Sequence, residues 1–580
     1  MNLTSLDWLI IFAYLFISLS VGIWSSKKAG KDTQSFFLAG RNMPWWLLGV
    51  SMVATTFSTD TPNLVTDLVR QDGVSGNWVW WAFLLSGMLT VFIYAKLWHR
   101  SGVLTDIEFY ELRYSGKGAA FLRGFRALYL GLIFNVLVMG AVSLAAVKFG
   151  EIVLGWPGWM TLSIACSITL VYSALGGLRA IIITDFIQFT LAMIGSILAM
   201  FYILGLPQIG GLSTLISHIN VTDKLALIPN MSDPDIWVPI LFVPLAVQWW
   251  ASYYPGSEPG GGGYIAQRMF SAKDENNAVG AALLFNIFHY ALRPWPWIII
   301  ALSSLIVFPE LTDMQSAFPN LPLDKLGHDV AYPAMLTLLP SGLLGLVAAS
   351  LIAAFMSTMS TQVNLGASYL VNDFYQRFIQ PDATDKMLVL VGRLFTIISI
   401  ILGGGLGLIL TSAGQAFSLL LMIGTGTGLI YILRWFWWRI NSYTEIVAMI
   451  SSLCIAYYFN FINTGMDDWQ KIVIGAIITT IVWVTATFIT PPDDEETLKN
   501  FVKKVNPGGP GWKKYQEESH THWSVPDGII AMALGCIAVY GFLLGVGQII
   551  YGQLVSGFVL VLISCFAGYI LKRRFLNEGL

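Results

Sequence analysis

The chain has 580 residues, of which 56% are hydrophobic and 11% charged, with a formal net charge of -2. Soluble domains carry roughly 25% charged residues, and apolar runs near helix-spanning length recur along this chain, so a polytopic membrane protein is expected. The charge balance leaves no basic face for nucleic acid. Cys166, Cys454, Cys536 and Cys565 all lie in apolar runs without a C-x-x-C, which excludes a disulfide framework or zinc site and marks them as small core residues.

The apolar segments in chain order are 6–24, 45–69, 78–99, 121–150, 157–178, 180–205, 236–256, 276–308, 341–374, 387–412, 414–434, 443–463, 470–490, 526–547 and 553–572, fifteen helices in all. The first has neither a basic stretch before it nor a small-x-small cleavage site after it, so it reads as a retained helix. Lys27, Lys28, Lys31 and Arg41 follow it, and the positive-inside rule holds them in the cytoplasm with the N-terminus outside. Arg100, Arg113, Lys117, Arg123 and Arg126 fall on the next inside loop, Arg268 and Lys273 on another, Arg377 and Lys386 on a third. Lys572-Arg573-Arg574 ends the last span on the same side. The Lys/Arg-poor stretches 206–235 and 309–333 lie outside. The polar stretch 491–525 reads as a solvated cytoplasmic linker, with a short surface helix near 495–504 as the alternative.

Two of these segments are flawed as helices. The second carries Ala54-Thr55-Thr56-Phe57-Ser58-Thr59-Asp60-Thr61-Pro62 in its middle, and the seventh dissolves after Tyr254 into Pro255, Gly256 and a run of glycines at 260–263. Lipid tolerates non-helical backbone only where protein buries it or it lines a cavity. Interrupted helices at corresponding positions of two halves mark the binding site of a secondary transporter, and the odd spacing of five spans inverts one half relative to the other.

Ser357, Ser360 and Thr361 share one helix face, with Thr358 beside it; such hydroxyls serve either as cation ligands or as glue between membrane helices. Asp185 is an intramembrane carboxylate, the usual mark of an ion path; capping or pairing with Arg179 is the alternative. Asp60 is either a site carboxylate or the N-cap of the helix that resumes at Thr61-Pro62. Asp67 is expected to pair with Arg70. His289 and Arg293 share a face and meet either a substrate carboxylate or simple packing. The glycine run is followed by no Lys-Ser/Thr, so no nucleotide loop is expected. Gly403-Gly404-Gly405 reads as close helix packing. No nucleophile–base pair stands out, so the chain is not expected to be an enzyme.

Phe37-Leu38-Ala39-Gly40-Arg41 before Pro44-Trp45-Trp46, the segment Gly176 to Gln188, Tyr264 to Arg268, and Ala354 to Thr361 together resemble the sodium:solute symporters, which include sodium–galactose, sodium–proline and sodium–sialic acid carriers. The resemblance implies an all-α, leucine-transporter-like inverted five-plus-five repeat. Its parts would be an extra N-terminal helix and loop at 1–44, repeats at 45–205 and 236–434, and about four C-terminal helices within 435–580. It also implies a sodium site from the carbonyls of Ala54, Phe57 and Ala354 and the hydroxyls of Ser357 and Thr358. Some members would hold a second sodium by the residues matching Asp185, Ser357, Ser360 and Thr361. Thr56, Ser58 and Thr61 match a hydroxyl triplet for a substrate carboxylate; Asp60 and Arg293 join them as substrate-site residues, and Trp249, Trp250, Tyr253 and Tyr254 are candidate inner-gate aromatics. Leu84 and Leu292 stand where galactose carriers place a glutamate and a lysine, which speaks against a hexose held in that manner, and the sialic acid carriers' arginine has no match within 127–147.

The expected function is sodium-coupled symport of a small polar organic solute across the plasma membrane, with sodium as coupling ion and no other cofactor. The alternative is a sensor or sodium-conducting channel of the same fold without coupled transport. A cysteine introduced at Asn2 should label with an impermeant reagent on intact cells; labelling only after permeabilisation would reverse the orientation.

Overall fold

The computed structural model describes residues 3–29, 32–251, 260, 262–319, 321–410, 426–462, 464–516 and 525–576. Among them, 11 helices are long and apolar enough to cross a membrane, and Trp45–Thr55, Gly158–Ala174 and Pro234–Ala246 are shorter apolar helices. The remaining expected segment, 414–434, is helical over 426–433, its earlier part lying outside the described residues. No strand forms among the described residues; a single parallel bridge joins Met43 to Ala272. It is made by the Met43 amide on the Ser271 carbonyl (3.1 Å) and ties the start of the second segment to the end of the Gly263–Phe270 helix.

Helix breaks follow residues with a physical reason to break. Gly158–Leu204 runs as one helical stretch except at Gly177, whose φ of 56° and ψ of -165° suit only glycine. This separates the fifth and sixth expected spans. The glycines of 403–407 permit close approach: a Cβ on Gly403 would lie 2.6 Å from the Met139 Cβ. Cys166 and Cys536 are buried as expected, whereas Cys454 and Cys565 are exposed on helix faces.

Several arginines placed in loops by charge alone are instead interior. Arg113 and Arg268 are fully buried and Arg126 nearly so. Arg113 donates to the carbonyls of Arg434 (2.8 Å), Trp437 (3.0 Å) and Ile440 (3.1 Å). Five N–H donors on one planar group let it gather several helix-end carbonyls at once. Arg70 likewise bonds Ser304 Oγ at 3.0 Å, the Phe308 carbonyl at 2.8 Å and His328 Nδ1 at 3.2 Å, rather than making the expected ion pair with Asp67. Glu111, on a short helix outside the spans, accepts from Arg123 (2.7 Å) and Arg377 (3.0 Å). Burial pushes the Glu111 carboxyl up, but the hydrogen bonds and charge of Arg377 and Arg123 outweigh it and hold its pKa below the ordinary value. The tie is therefore intact at neutral pH and lost only as pH falls through that lowered value.

The stretch 491–525 corrects the linker reading over its described part. Asp494 caps a helix at Glu495–Val505 by accepting from the Thr497 amide at 2.8 Å. Leu498, Phe501 and Val505 are fully buried, so this is a docked amphipathic helix. The Phe501 ring meets Phe109 at 5.8 Å, Trp512 Nε1 donates to the Trp435 carbonyl at 2.7 Å, and the Arg113 guanidinium stacks on Trp512 at 4.8 Å. The spacing of Leu498, Phe501 and Val505 carried this signal; local polarity masked it. Trp512→Ala should cost about 3–5 kcal/mol, read as a lower unfolding temperature and new tryptic cleavage at Lys503 and Lys504. An unchanged digest would contradict the docking.

Candidate substrate and ion site

The site begins at the broken second segment. Trp45–Thr55 ends in a tightened turn, with Phe57 N on the Ala54 carbonyl at 3.1 Å, and the helix resumes over Asp60–Asp72. The residue at the N-cap is Thr59, so Asp60 opens the second half-helix from its first turn and does not cap it. Side chains satisfy the carbonyls that the break frees. Thr56 Oγ1 donates to Val53 O at 2.9 Å, Thr61 Oγ1 to Thr56 O at 3.4 Å, and Thr358 Oγ1 crosses from its own helix to Thr55 O at 3.0 Å. Ser and Thr are the residue types that re-satisfy backbone inside a membrane protein.

Two polar clusters flank the break. In the first, Asp185 is fully buried and accepts from Ser51 Oγ, from Ser357 Oγ at 2.7 Å and from Arg268 Nη2 at 3.5 Å. The cation partner is Arg268, not Arg179. Arg268 also donates to Thr361 Oγ1 (2.8 Å), Thr55 Oγ1 (3.2 Å) and Ser51 Oγ (3.1 Å). One guanidinium thus binds both the broken helix and the hydroxyl face of Leu343–Ser368. Ser360 Oγ turns back to the Ser357 carbonyl at 2.9 Å and does not reach Asp185. Ala54 and Ala354 are buried beside the break and the hydroxyl face, and Phe57 stacks on Trp297 at 5.1 Å.

In the second cluster, Arg293 is nearly fully buried and donates from Nη1 to Thr56 Oγ1 at 3.0 Å and to the Val53 carbonyl at 3.4 Å. His289 Nδ1 lies 3.0 Å from the same hydroxyl, and its Nε2 lies 3.3 Å from Arg293 Nη2. Trp80 and Trp297 wall the pair, the guanidinium lying 5.4 Å from the Trp297 ring and His289 meeting Trp80 edge-on at 5.6 Å. Asp60 Oδ1 is buried without a hydrogen-bond partner among the described residues, within the electrostatic reach of Arg293. Ser58 is buried, and its amide accepts no loss at the break because it donates to Thr61 Oγ1 at 3.3 Å. Trp249 is half-buried; its carbonyl accepts from Ser86 Oγ and its ring packs on Trp250 at 5.5 Å. Tyr253 and Tyr254 lie outside the described residues.

Sequence reasoning missed Arg268, Ser51 and Thr55 as members of the first cluster. The available signal was that Arg268 sits between apolar Ile265-Ala266 and Met269-Phe270, where a surface arginine is out of place.

An inverted helical bundle with a broken helix pinned to a hydroxyl-bearing partner is the core of a leucine-transporter-like secondary transporter. The chain belongs to the sodium:solute symporter family, whose model matches residues 36–452. It is 26% identical over 515 residues to a sodium/glucose cotransporter of Vibrio parahaemolyticus, covering 85% of this chain and 92% of that protein. It is 27% identical over 490 residues to a sodium/mannose cotransporter of Bos taurus, covering 78% of each. The fold matches the substrate-bound outward-open structure of a Na+-coupled sialic acid symporter, with TM-score 0.67 and 20% identity over 85% of this chain and 99% of that one. The protein is therefore a multi-pass membrane transporter coupled to sodium, and not an enzyme.

Removing one partner of a buried ion pair costs about 3–5 kcal/mol, because the other charge is left desolvated. Arg268→Gln should therefore lower thermal stability in sodium-free buffer. Asp185→Asn combined with it should recover much of the loss, since both charges are then gone. Additive losses in the double variant would contradict direct pairing.

Proposed function

We propose that this protein drives uptake of a small polar organic solute with sodium by alternating access, at the plasma membrane, with its N-terminus outside. The observation that carries this reading is the 3.0 Å bond from Thr358 Oγ1 to the freed Thr55 carbonyl. It sets the Thr358 hydroxyl against the unwound backbone, with the Ser357 hydroxyl on the same helix bonded to Asp185, and such hydroxyls and freed carbonyls are suitable oxygen ligands for a hard cation. Carbonyls of Ala54, Phe57 and Ala354 would complete that sodium site. A bound ion joins the two helices, and it favours whichever state keeps them joined only by its differential affinity for that state.

A second sodium would sit at Asp185 with Ser357, Ser360 and Thr361. In this conformation the arginine, not an ion, neutralises Asp185, so the second sodium must displace Arg268 from the carboxylate. Ser360 would have to release the Ser357 carbonyl and turn its hydroxyl inward. Each positive charge moved inward gains about 2.3 kcal/mol per 100 mV. Two ions with a neutral solute would supply roughly 4.6 kcal/mol, about three decades of accumulation at ~1.4 kcal/mol per decade.

The solute would lie against Thr56, Ser58, Asp60, Thr61 and Arg293, with Trp249 and the tyrosines at 253 and 254 as inner-gate candidates. Arg293 held on Thr56 by a 3.0 Å bond favours a solute that presents an acceptor group, a carboxylate above all. His289 orients that arginine from the same helix.

Proteoliposome uptake tests the reading. Uptake should require an inward sodium gradient; solute flux unaffected by sodium, or sodium current without solute, would favour a uniporter or channel. Thr56→Val should raise the half-saturating solute concentration about tenfold, the effect of ~1.4 kcal/mol, while the protein still folds at a lower unfolding temperature, since the same hydroxyl bonds the Val53 carbonyl. Asp185→Asn should bring the sodium Hill coefficient down towards one while some transport survives. A wild-type stoichiometry of one sodium per solute would remove the second site.

A further inference from the structure

Away from both clusters, a cleft of about 110 Å³ opens at the end of the Val74–Ser101 span, between it and the first turn of Val525–Ile550. Its lining is mixed, with Phe92, Leu97 and Val525 forming apolar wall and Lys96 and Arg100 standing beside them. These two are four residues apart on one helical face. Lys96 is exposed and makes no ion pair among the described residues; Arg100 is half-engaged by Glu275 at 3.1 Å. The acidic residue of the cleft, Asp527, is already matched by Arg574 at 3.6 Å. The rim beyond is basic as well, with Lys504 lying over Gly102 and Lys572, Arg573 and Arg574 exposed at the end of the last span. A tightly packed contact closes the floor, where a Cβ on Gly528 would lie 2.7 Å from Ile93 Cγ1.

The combination is an apolar floor, cations at the mouth and a position at a membrane-facing helix end. Basic pockets between transmembrane helices on the cytoplasmic side suit anionic lipid headgroups, each Lys or Arg near the surface contributing about 1 kcal/mol. We propose that this cleft binds the phosphodiester headgroup of an acidic phospholipid, with Lys96 and Arg100 on the phosphate and the acyl chains along Phe92 and the neighbouring apolar faces. Bound there, the lipid bridges the core span Val74–Ser101 to the C-terminal helix Val525–Ile550. The placement on the cytoplasmic leaflet rests on the Lys/Arg distribution; the binding does not, because a nanodisc presents lipid on both faces.

The test uses purified full-length protein in phosphatidylcholine nanodiscs with and without phosphatidylglycerol, read by thermal unfolding. Phosphatidylglycerol should raise the wild-type unfolding temperature by a few degrees. Lys96→Gln should lose at least half of that rise, Lys96→Arg should keep it, and Lys503→Gln, equally exposed but outside the cleft, should keep it too. An undiminished rise in Lys96→Gln overturns the site. An equal loss in Lys503→Gln also overturns it, by showing a general surface potential. Millimolar inorganic phosphate in phosphatidylcholine discs should leave the temperature unchanged; reproducing the full rise would identify a free-phosphate site and overturn the lipid assignment.

Discussion

A backbone carbonyl at membrane depth has no water to turn to. The break between Thr55 and Asp60 frees such carbonyls, and the surrounding core is arranged around their satisfaction. Val53 O takes Thr56 and Arg293, Thr55 O takes Thr358, and Thr56 O takes Thr61. Three helices are thereby tied to one interruption: the broken helix itself, Glu275–Val307 through Arg293, and Leu343–Ser368 through Thr358. Under the proposed function, the residues that stabilise the break are also those that bind cargo, so local stability and transport would share the same atoms.

Charge at this depth obeys the same rule. Asp185 and Arg268 are both fully buried, and an isolated charge in either place would be far more costly than the pair. Their 3.5 Å separation is long for a strong ion pair, and the hydroxyls of Ser51, Ser357, Thr55 and Thr361 fill the remaining hydrogen-bonding positions. The carboxylate is thus shared between the arginine and the hydroxyls of Ser51 and Ser357, while Thr55 and Thr361 accept from the guanidinium. Arg268 neutralises Asp185 in this arrangement, and under the proposed function a second sodium would take its place.

The layer around Arg113 is built on the same economy of large planar cations. Arg113 collects three carbonyls and stacks on Trp512, which joins the 426–433 helix, the short helix at Phe109–Arg113 and the docked Glu495–Val505 helix into one layer. Phe501, Trp512 and Trp435 fill the space between them. The segment between the thirteenth and fourteenth spans is thus part of the folded body over 494–516, and it borders the cleft through Asn506 and Pro507.

The positions of 11 long apolar helices among the described residues were legible in the sequence, because helix length and apolarity in a bilayer are local properties. So was an interruption within Ala54–Pro62, which the structure places between Thr55 and Asp60, since hydroxyls and a proline inside an apolar run leave few other readings, and so was the shared face of Ser357, Ser360 and Thr361, which follows from helical period alone. What the tertiary structure decided was which side chains meet. Arg268 reads as a loop cation until the fold carries Gly263–Phe270 into the core beside Asp185. Arg70 has a carboxylate three residues away yet turns to Ser304 and Phe308 on another helix. The polarity of Glu495–Val505 signals solvent until its one apolar face finds Phe109 and Trp435. A charge or a polar segment carries no record of its partner when that partner lies far along the chain, as Asp185 lies 83 residues from Arg268; burial selects it, through the desolvation cost of leaving the group alone.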